Sequence, residues 1–239
     1  MSASDLKSQI SNPTSNFAII VAGGSGTRMQ AALPKQFLLL NGLPILMHTM
    51  QAFHNAKAKP QLILVLHTDY HDLWLDLCVK YNFTLPHQLI KGGETRFHSV
   101  KRGLNTIEDT NAVIAIHDAV RPLTAASLVD NSYTYATEHG NAITAVKSRD
   151  SIRQVQGDHS VSLLRDDIYL VQTPQTFKWS VLQKAYDQPY NVKFTDDASV
   201  VEASGIKINL IEGSYKNIKI TFPEDIAIAE AILKQKPFA

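Results

Sequence analysis

An apolar run that stops abruptly on glycines constrains this chain more than any other feature. Residues 17–22 (FAIIVA) lead straight into Gly23-Gly24-Ser25-Gly26, with Arg28 close behind and Lys35 following Pro34. The run reads as a buried strand, the first of a parallel sheet. A glycine-rich loop leaving such a strand brings backbone N–H groups up to an anion. Arg28 and Lys35 add two positive charges beside it, which suits a polyphosphate. A P-loop is excluded, because no Lys-Ser or Lys-Thr follows the glycines at the required spacing. A dinucleotide fingerprint is excluded too: Met29 stands where its third glycine belongs, which argues against an NAD-dependent oxidoreductase. The bland alternative is a tight turn with Arg28 and Lys35 solvated.

Strand-like and helix-like runs alternate beyond this loop. Apolar segments at 61–67, 87–90, 112–117 and 141–146 are separated by helical patterns at 44–54 and 69–81, one with Arg96, Ser99 and Val100 near its start, and one at 124–139. Pro44 fits a helix start, and Asp69 is the expected cap of the helix that follows it. The alternation predicts an α/β fold: a three-layer, Rossmann-like, mostly parallel sheet with helices on both faces. Ligands of such sheets bind at the carboxyl ends of the strands. The Gly23 loop, Gly92-Gly93 and Asp118 all follow strands directly and are expected to meet on one rim. The rhythm breaks at 147–173, where strand-like pieces flank Gln156-Gly157-Asp158, a hairpin turn signal, and a further strand-like piece follows at 169–172. A lone hairpin is marginal in water, so this arm is expected to pack on a second copy of the chain. After Pro174 the pattern resumes, with helices near 179–186, 196–204 and 223–233 and a strand at 207–211.

Composition limits the partners. The 239 residues carry a formal net charge of +1, with 44% hydrophobic and 19% charged residues, so nothing global draws the chain to nucleic acid or a membrane. Cys78 is the single cysteine, which leaves no intrachain disulfide. Residues 1–16 are polar and lack a signal-peptide core; they read as a flexible lead-in to one domain over 17–239, in a cytoplasmic protein.

Four further groups of residues bear on chemistry. Gly92-Gly93-Glu94-Thr95-Arg96 with Ser99 permits close approach to a flat ring, or simply starts a helix with Arg96 solvated. His117-Asp118-Ala119-Val120-Arg121 offers one carboxylate and an arginine, for a metal and an anion, or only for a turn pair. A single carboxylate suits Mg²⁺ shared with substrate phosphates. Ser151, Arg165 and Thr173 lie in and beyond the arm. Thr195-Asp196-Asp197 reads first as a helix cap, and Lys219, inside an apolar run, needs a partner.

The order AGGSGTRM, PKQ, GGETR, HDAVRP, TPQTF, TDDAS and NIKIT resembles the 2-C-methyl-D-erythritol 4-phosphate cytidylyltransferase family over nearly the whole chain. The resemblance implies transfer of a cytidylyl group from CTP to the sugar phosphate, with release of pyrophosphate and with Mg²⁺. It implies that Ala22, Gly23, Gly24 and Gly26 bind CTP, that Gly93, Glu94 and Ser99 hold its base and ribose, and that Arg28 and Lys35 stabilise the transition state. It implies that Arg165 and Lys219 position methylerythritol phosphate, with Asp118, Arg121, Ser151, Thr173 and Thr195 as further contacts and Asp118 nearest the metal. It also implies a homodimer in which the arm serves the partner's site. Ser151 stands where many members carry threonine, and Thr27 replaces a frequent basic residue. The competing readings are a ribitol-5-phosphate cytidylyltransferase and a catalytically silent nucleotide-binding regulator.

Overall fold

The computed structural model describes residues 15–23 and 33–234. β1 (Asn16–Ala22) ends at Gly23. A 3-10 turn, Lys35–Phe37, leads to a small ladder of β2 (Leu39–Leu40) and β3 (Leu43–Pro44), then α1 (Ile45–His54). Alternation continues through β4 (Gln61–Leu66), α2 (His71–Lys80), β5 (Gln88–Lys91), α3 (Arg96–Leu104), β6 (Val113–Asp118), α4 (Ala126–His139) and β7 (Asn141–Lys147). A hairpin of β8 (Ile152–Gln156) and β9 (His159–Leu163) precedes β10 (Tyr169–Lys178). The chain finishes with α5 (Trp179–Tyr186), α6 (Asp197–Ala203), β11 (Leu210–Glu212) and α7 (Glu224–Lys234).

Seven strands form one sheet in the order β11-β7-β10-β6-β1-β4-β5. All its pairs are parallel except those of β10, which runs antiparallel between β6 and β7. Side chains alternate across the strands, and β1 shows what that does. Ala18 and Ile20 face a core shared with Leu46, Met50, Phe53 and Trp74, whereas Ile19 faces the opposite core with Val100, Phe177, Leu182 and Val201. Helices α1, α2 and α4 therefore cover one face, and α3, α5 and α6 the other. Full burial of an isoleucine or leucine stabilises by about 2 kcal/mol, so both faces fix the register of β1. That register sets Val21 opposite Asp118 and brings the end of β1 to the rim.

Two expectations need correction. Asp69 does not cap α2: it lies in a 3-10 turn, Thr68–Tyr70, and Tyr70 stands at the cap position without a side-chain bond. The turn consumes the residues that the sequence offered as a cap. The strand expected at 169–172 is the first part of the ten-residue β10, which continues through Pro174. Its ladder with β7 shifts register between Val171 and Gln175. Proline lacks a ladder donor and is tolerated at such an irregularity, so Pro174 interrupts the pairing without ending the strand. Tyr169 pairs with Lys147, and Ser148 N–H donates to the Ile168 carbonyl at 2.9 Å. The hairpin thus leaves the sheet only over residues 149–167. Among the described residues, no helix is long and apolar enough to cross a membrane.

Candidate active site

The end of β1 at Gly23, the Gly92-Gly93 turn and Asp118 meet as expected. A Cβ at Gly23 would lie 3.4 Å from Ser99 Oγ, so the end of β1 touches the first turn of α3. Ser99 Oγ accepts from Gly93 N–H at 3.0 Å. Thr95 caps α3 by accepting from His98 N–H. A Cβ at Gly93 would sit 2.5 Å from His98 Cβ, closer than real atoms approach, so only glycine allows this turn to close. Glu94 is exposed beside it. Lys35 is largely buried, in a turn that Gln36 holds to the rim by donating to the Ala22 carbonyl at 2.9 Å. Gly24, Gly26 and Arg28 lie outside the described residues.

Asp118, the last residue of β6, is the charge centre. Its Oδ2 lies 3.0 Å from Lys219 Nζ and 3.3 Å from Arg121 Nε, and its Oδ1 lies 3.8 Å from Arg96 Nε. Burial alone pushes the Asp118 carboxyl up; Arg96, Lys219 and Arg121 outweigh it and hold the group well below the usual carboxylate range. The carboxylate is therefore ionised at neutral pH. Lys219 has the partner that its apolar surroundings required, and the neighbouring Ile220 N–H donates to the Val120 carbonyl at 2.9 Å, tying the segment to the end of β6.

Buried polar side chains fix this arrangement. Thr173 Oγ1 accepts from Asp118 N–H at 3.1 Å. Arg121 Nη1 donates to the Asn217 carbonyl at 2.7 Å, and Asn217 Nδ2 donates to the Thr173 carbonyl at 2.9 Å. Thr124 Oγ1 donates to Asn217 Oδ1 at 2.8 Å. His117, fully buried against the Phe53 ring at 4.8 Å, lies behind Asp118. Burial pushes its imidazole down to about 3, so it is neutral and takes no charge near pH 7. On the other side, Arg96 forms a two-point pair with Asp197, at 2.8 and 2.6 Å.

These groups line a cavity of about 310 Å³ walled by Arg96, Asp118, Arg121, Thr173, Thr195 and Lys219, with Gln172, Gln175 and Asp196 beside them. The sequence-predicted Asp118, Arg121, Thr173, Thr195 and Lys219 are thus brought together. Ser151 and Arg165 are not: both are exposed on the arm, where, among the described residues, Arg165 reaches the Arg149 carbonyl at 3.4 Å and Asp166 at 3.8 Å. Asp196 caps α6 with Ser199 as its reciprocal partner, which leaves Thr195 free of that task. Arg96, Asp197, Asn217, Gln172 and Gln175 were given no role of their own from the sequence, and Arg96 is paired with Asp197 rather than solvated. Asp197 had one signal, an acidic residue repeated beside a cap and followed by apolar Ala198, Val200 and Val201.

A parallel-sheet rim with a glycine turn, backed by a braced carboxylate among three cations, defines an α/β nucleotidyltransferase-like protein. Residues 17–235 match the sequence profile described as 2-C-methyl-D-erythritol 4-phosphate cytidylyltransferase. The enzyme of that name from Azobacteroides pseudotrichonymphae is 45% identical over 218 residues, covering 91% of this chain and 98% of the relative. That from Bacteroides fragilis is 44% identical over 216 residues, covering 90% and 98%. A crystal structure of the Francisella tularensis enzyme superposes with a TM-score of 0.76 at 32% identity, covering 91% and 99%. The 4-diphosphocytidyl-2C-methyl-D-erythritol synthase of Anaerococcus prevotii gives 0.79 at 29% identity, covering 93% and 97%. The chain belongs to the 2-C-methyl-D-erythritol 4-phosphate cytidylyltransferase family and is a nucleotidyltransferase.

Proposed function

We propose that the rim is a two-substrate site. CTP lies on the side of Gly23, Gly93 and Ser99, and methylerythritol phosphate lies in the Asp118 cavity. An oxygen of the sugar phosphate attacks the α-phosphorus of CTP. A new P–O bond forms, the bond from the α-phosphorus to the β-bridging oxygen breaks, and pyrophosphate leaves with that electron pair. The nucleophile is already anionic, because the second phosphate pKa is about 6, so no general base is required. The barrier is the approach of two anions, which fixed cations lower by neutralisation and alignment.

The carrying observation is the cluster of Arg96, Arg121 and Lys219 around one ionised carboxylate. Asp118 spaces these cations, and the half-exposed Lys219 ammonium has room for a phosphate as its second partner. Arg28 and Lys35 take the triphosphate, a role that rests on the family motif. No group of three metal-ligating side chains occurs among the described residues. One carboxylate fits a Mg²⁺ carried mainly by substrate phosphates, and Asp118 is the residue that would hold it. When bound, the ion supplies charge neutralisation on the triphosphate.

Exposure supports a homodimer through the arm over residues 147–173. Among the described residues β8 and β9 pair only with each other, and Tyr169, Leu170 and Val171 are 41%, 51% and 44% exposed at its root. In that dimer Ser151 and Arg165 complete the partner's site, in the cytoplasm. The test is pyrophosphate release from CTP with 2-C-methyl-D-erythritol 4-phosphate and ribitol 5-phosphate offered separately. Release is expected with the first. Release only with ribitol phosphate, or with neither, overturns the reading.

A further inference from the structure

Arg96 stands where the two halves of the site join. It is the first residue of α3, whose start carries Gly93, Thr95 and Ser99, yet it is the one side chain of that segment lining the Asp118 cavity. Its side chain is 30% exposed. A guanidinium serving only to cross-link α3 to α6 has no need to face a cavity or to approach Asp118 with its Nε.

The aim of Arg96 is held from behind. Asp197, fully buried, receives Nη1 and Nη2 on its two oxygens. Tyr186 Oη donates to Asp197 Oδ1 at 2.6 Å, so the carboxylate cannot swing away from the fork. Tyr186 itself stacks on Phe97, with ring centroids 4.8 Å apart. Gln175 anchors the start of α6 to β10: its Oε1 accepts from Ala198 N–H at 2.8 Å and its Nε2 donates to Asp196 at 2.9 Å. Three helices and a strand thus converge on one guanidinium. A bidentate Arg–carboxylate pair sets direction as well as charge, which lysine in the same place does not.

We propose that Arg96 is a further catalytic cation, contacting the phosphates at the seam between the two substrates, and that Asp197 and Tyr186 are the positioning residues that aim it. The inference rests on the two-substrate reading above. Charge accumulates at that seam as the new P–O bond forms, so the contact is worth more in the transition state than in either binary complex.

The test combines steady-state kinetics, calorimetric titration of CTP alone and of methylerythritol phosphate alone, and melting of Arg96→Lys, Tyr186→Phe and the double variant. Arg96→Lys is expected to lower kcat about 100-fold while each binding constant changes less than about threefold. Tyr186→Phe is expected to lower kcat about fivefold, and to cost nothing further in the Arg96→Lys background, because the hydroxyl acts only through that guanidinium. A near-normal kcat in folded Arg96→Lys overturns the inference. So does a loss that appears wholly in one binding constant, or a Tyr186→Phe cost that persists in the double variant. If Arg96→Lys does not fold, Tyr186→Phe decides alone, and an unchanged kcat overturns the inference. Wild-type protein that releases no pyrophosphate overturns the two-substrate reading itself; wild-type turnover with indifferent variants overturns only the role of Arg96.

Discussion

Lys219 and Arg165 share a charge and an assigned task, yet the protein holds them in opposite ways. Lys219 sits 3.0 Å from a buried carboxylate, in a segment tied to β6. Arg165 projects from an exposed hairpin and, among the described residues, reaches the Arg149 carbonyl and Asp166 on the same arm. The first residue is pre-aimed by the fold. In the proposed dimer, the second takes its position from the partner subunit. The proposed two-subunit site, built from both kinds of residue, would be half rigid before assembly and complete only after it.

The largest expected effect tests the rigid half. Lys219→Ala removes a cation already in place, and a lost transition-state contact of about 3 kcal/mol corresponds to roughly 150-fold in turnover. The loss should appear in the kinetics of methylerythritol phosphate, with CTP titration little changed. A loss confined to CTP affinity would move Lys219 to the other substrate.

Gly93→Ala asks whether the nucleotide side is equally rigid. The added methyl meets His98 Cβ at 2.5 Å, and forcing it in costs about 1–3 kcal/mol. Thermal unfolding should shift down and CTP should bind more weakly, whereas an Ala substitution on the exposed hairpin, such as Gln154→Ala, should leave both unchanged. A neutral Gly93→Ala would mean that the turn is soft.

The smallest effect concerns the support behind Asp118. His117 is held neutral, with its pKa near 3 in the folded chain against about 6.5 unfolded. The unfolded chain therefore binds the extra proton, and stability falls as pH drops through the window from about 6.5 toward 3. The slope from this one group approaches ~1.4 kcal/mol per pH unit. Asp118 has a lowered pKa, so its contribution is complete above the ordinary carboxylate value and is lost only below it. Denaturant titrations at pH 7 and pH 5 should show a smaller difference for His117→Gln than for the wild type. Equal differences would contradict a buried neutral imidazole.

These contrasts also explain what could be read in the chain. β1, β4, β6 and β7 were legible because uninterrupted apolar runs between turn signals are what a sheet buried on both faces requires. The meeting of Gly23, Gly93 and Asp118 followed from where such strands end. The full length of β10 was hidden because Pro174 looks like a stop, and only the partners on either side show that the ladder continues past it. Lys219 was legible as a cation in need of a partner. Arg96 was not, since an arginine at a helix start is ordinarily solvated, and its partner Asp197 lies far along the chain in α6. Long-range pairings of this kind carry no local signal.

The most direct test of a site shared between subunits is a mixing experiment with two variants expected to be impaired, Asp118→Asn and Arg165→Ala. If Arg165 serves the partner's cavity, a mixed dimer regains one intact site, formed by the unaltered Asp118 of one subunit and the unaltered Arg165 of the other. Equal mixing with random subunit exchange then restores about a quarter of wild-type pyrophosphate release. Mixtures no more active than the two variants measured separately would contradict the shared site.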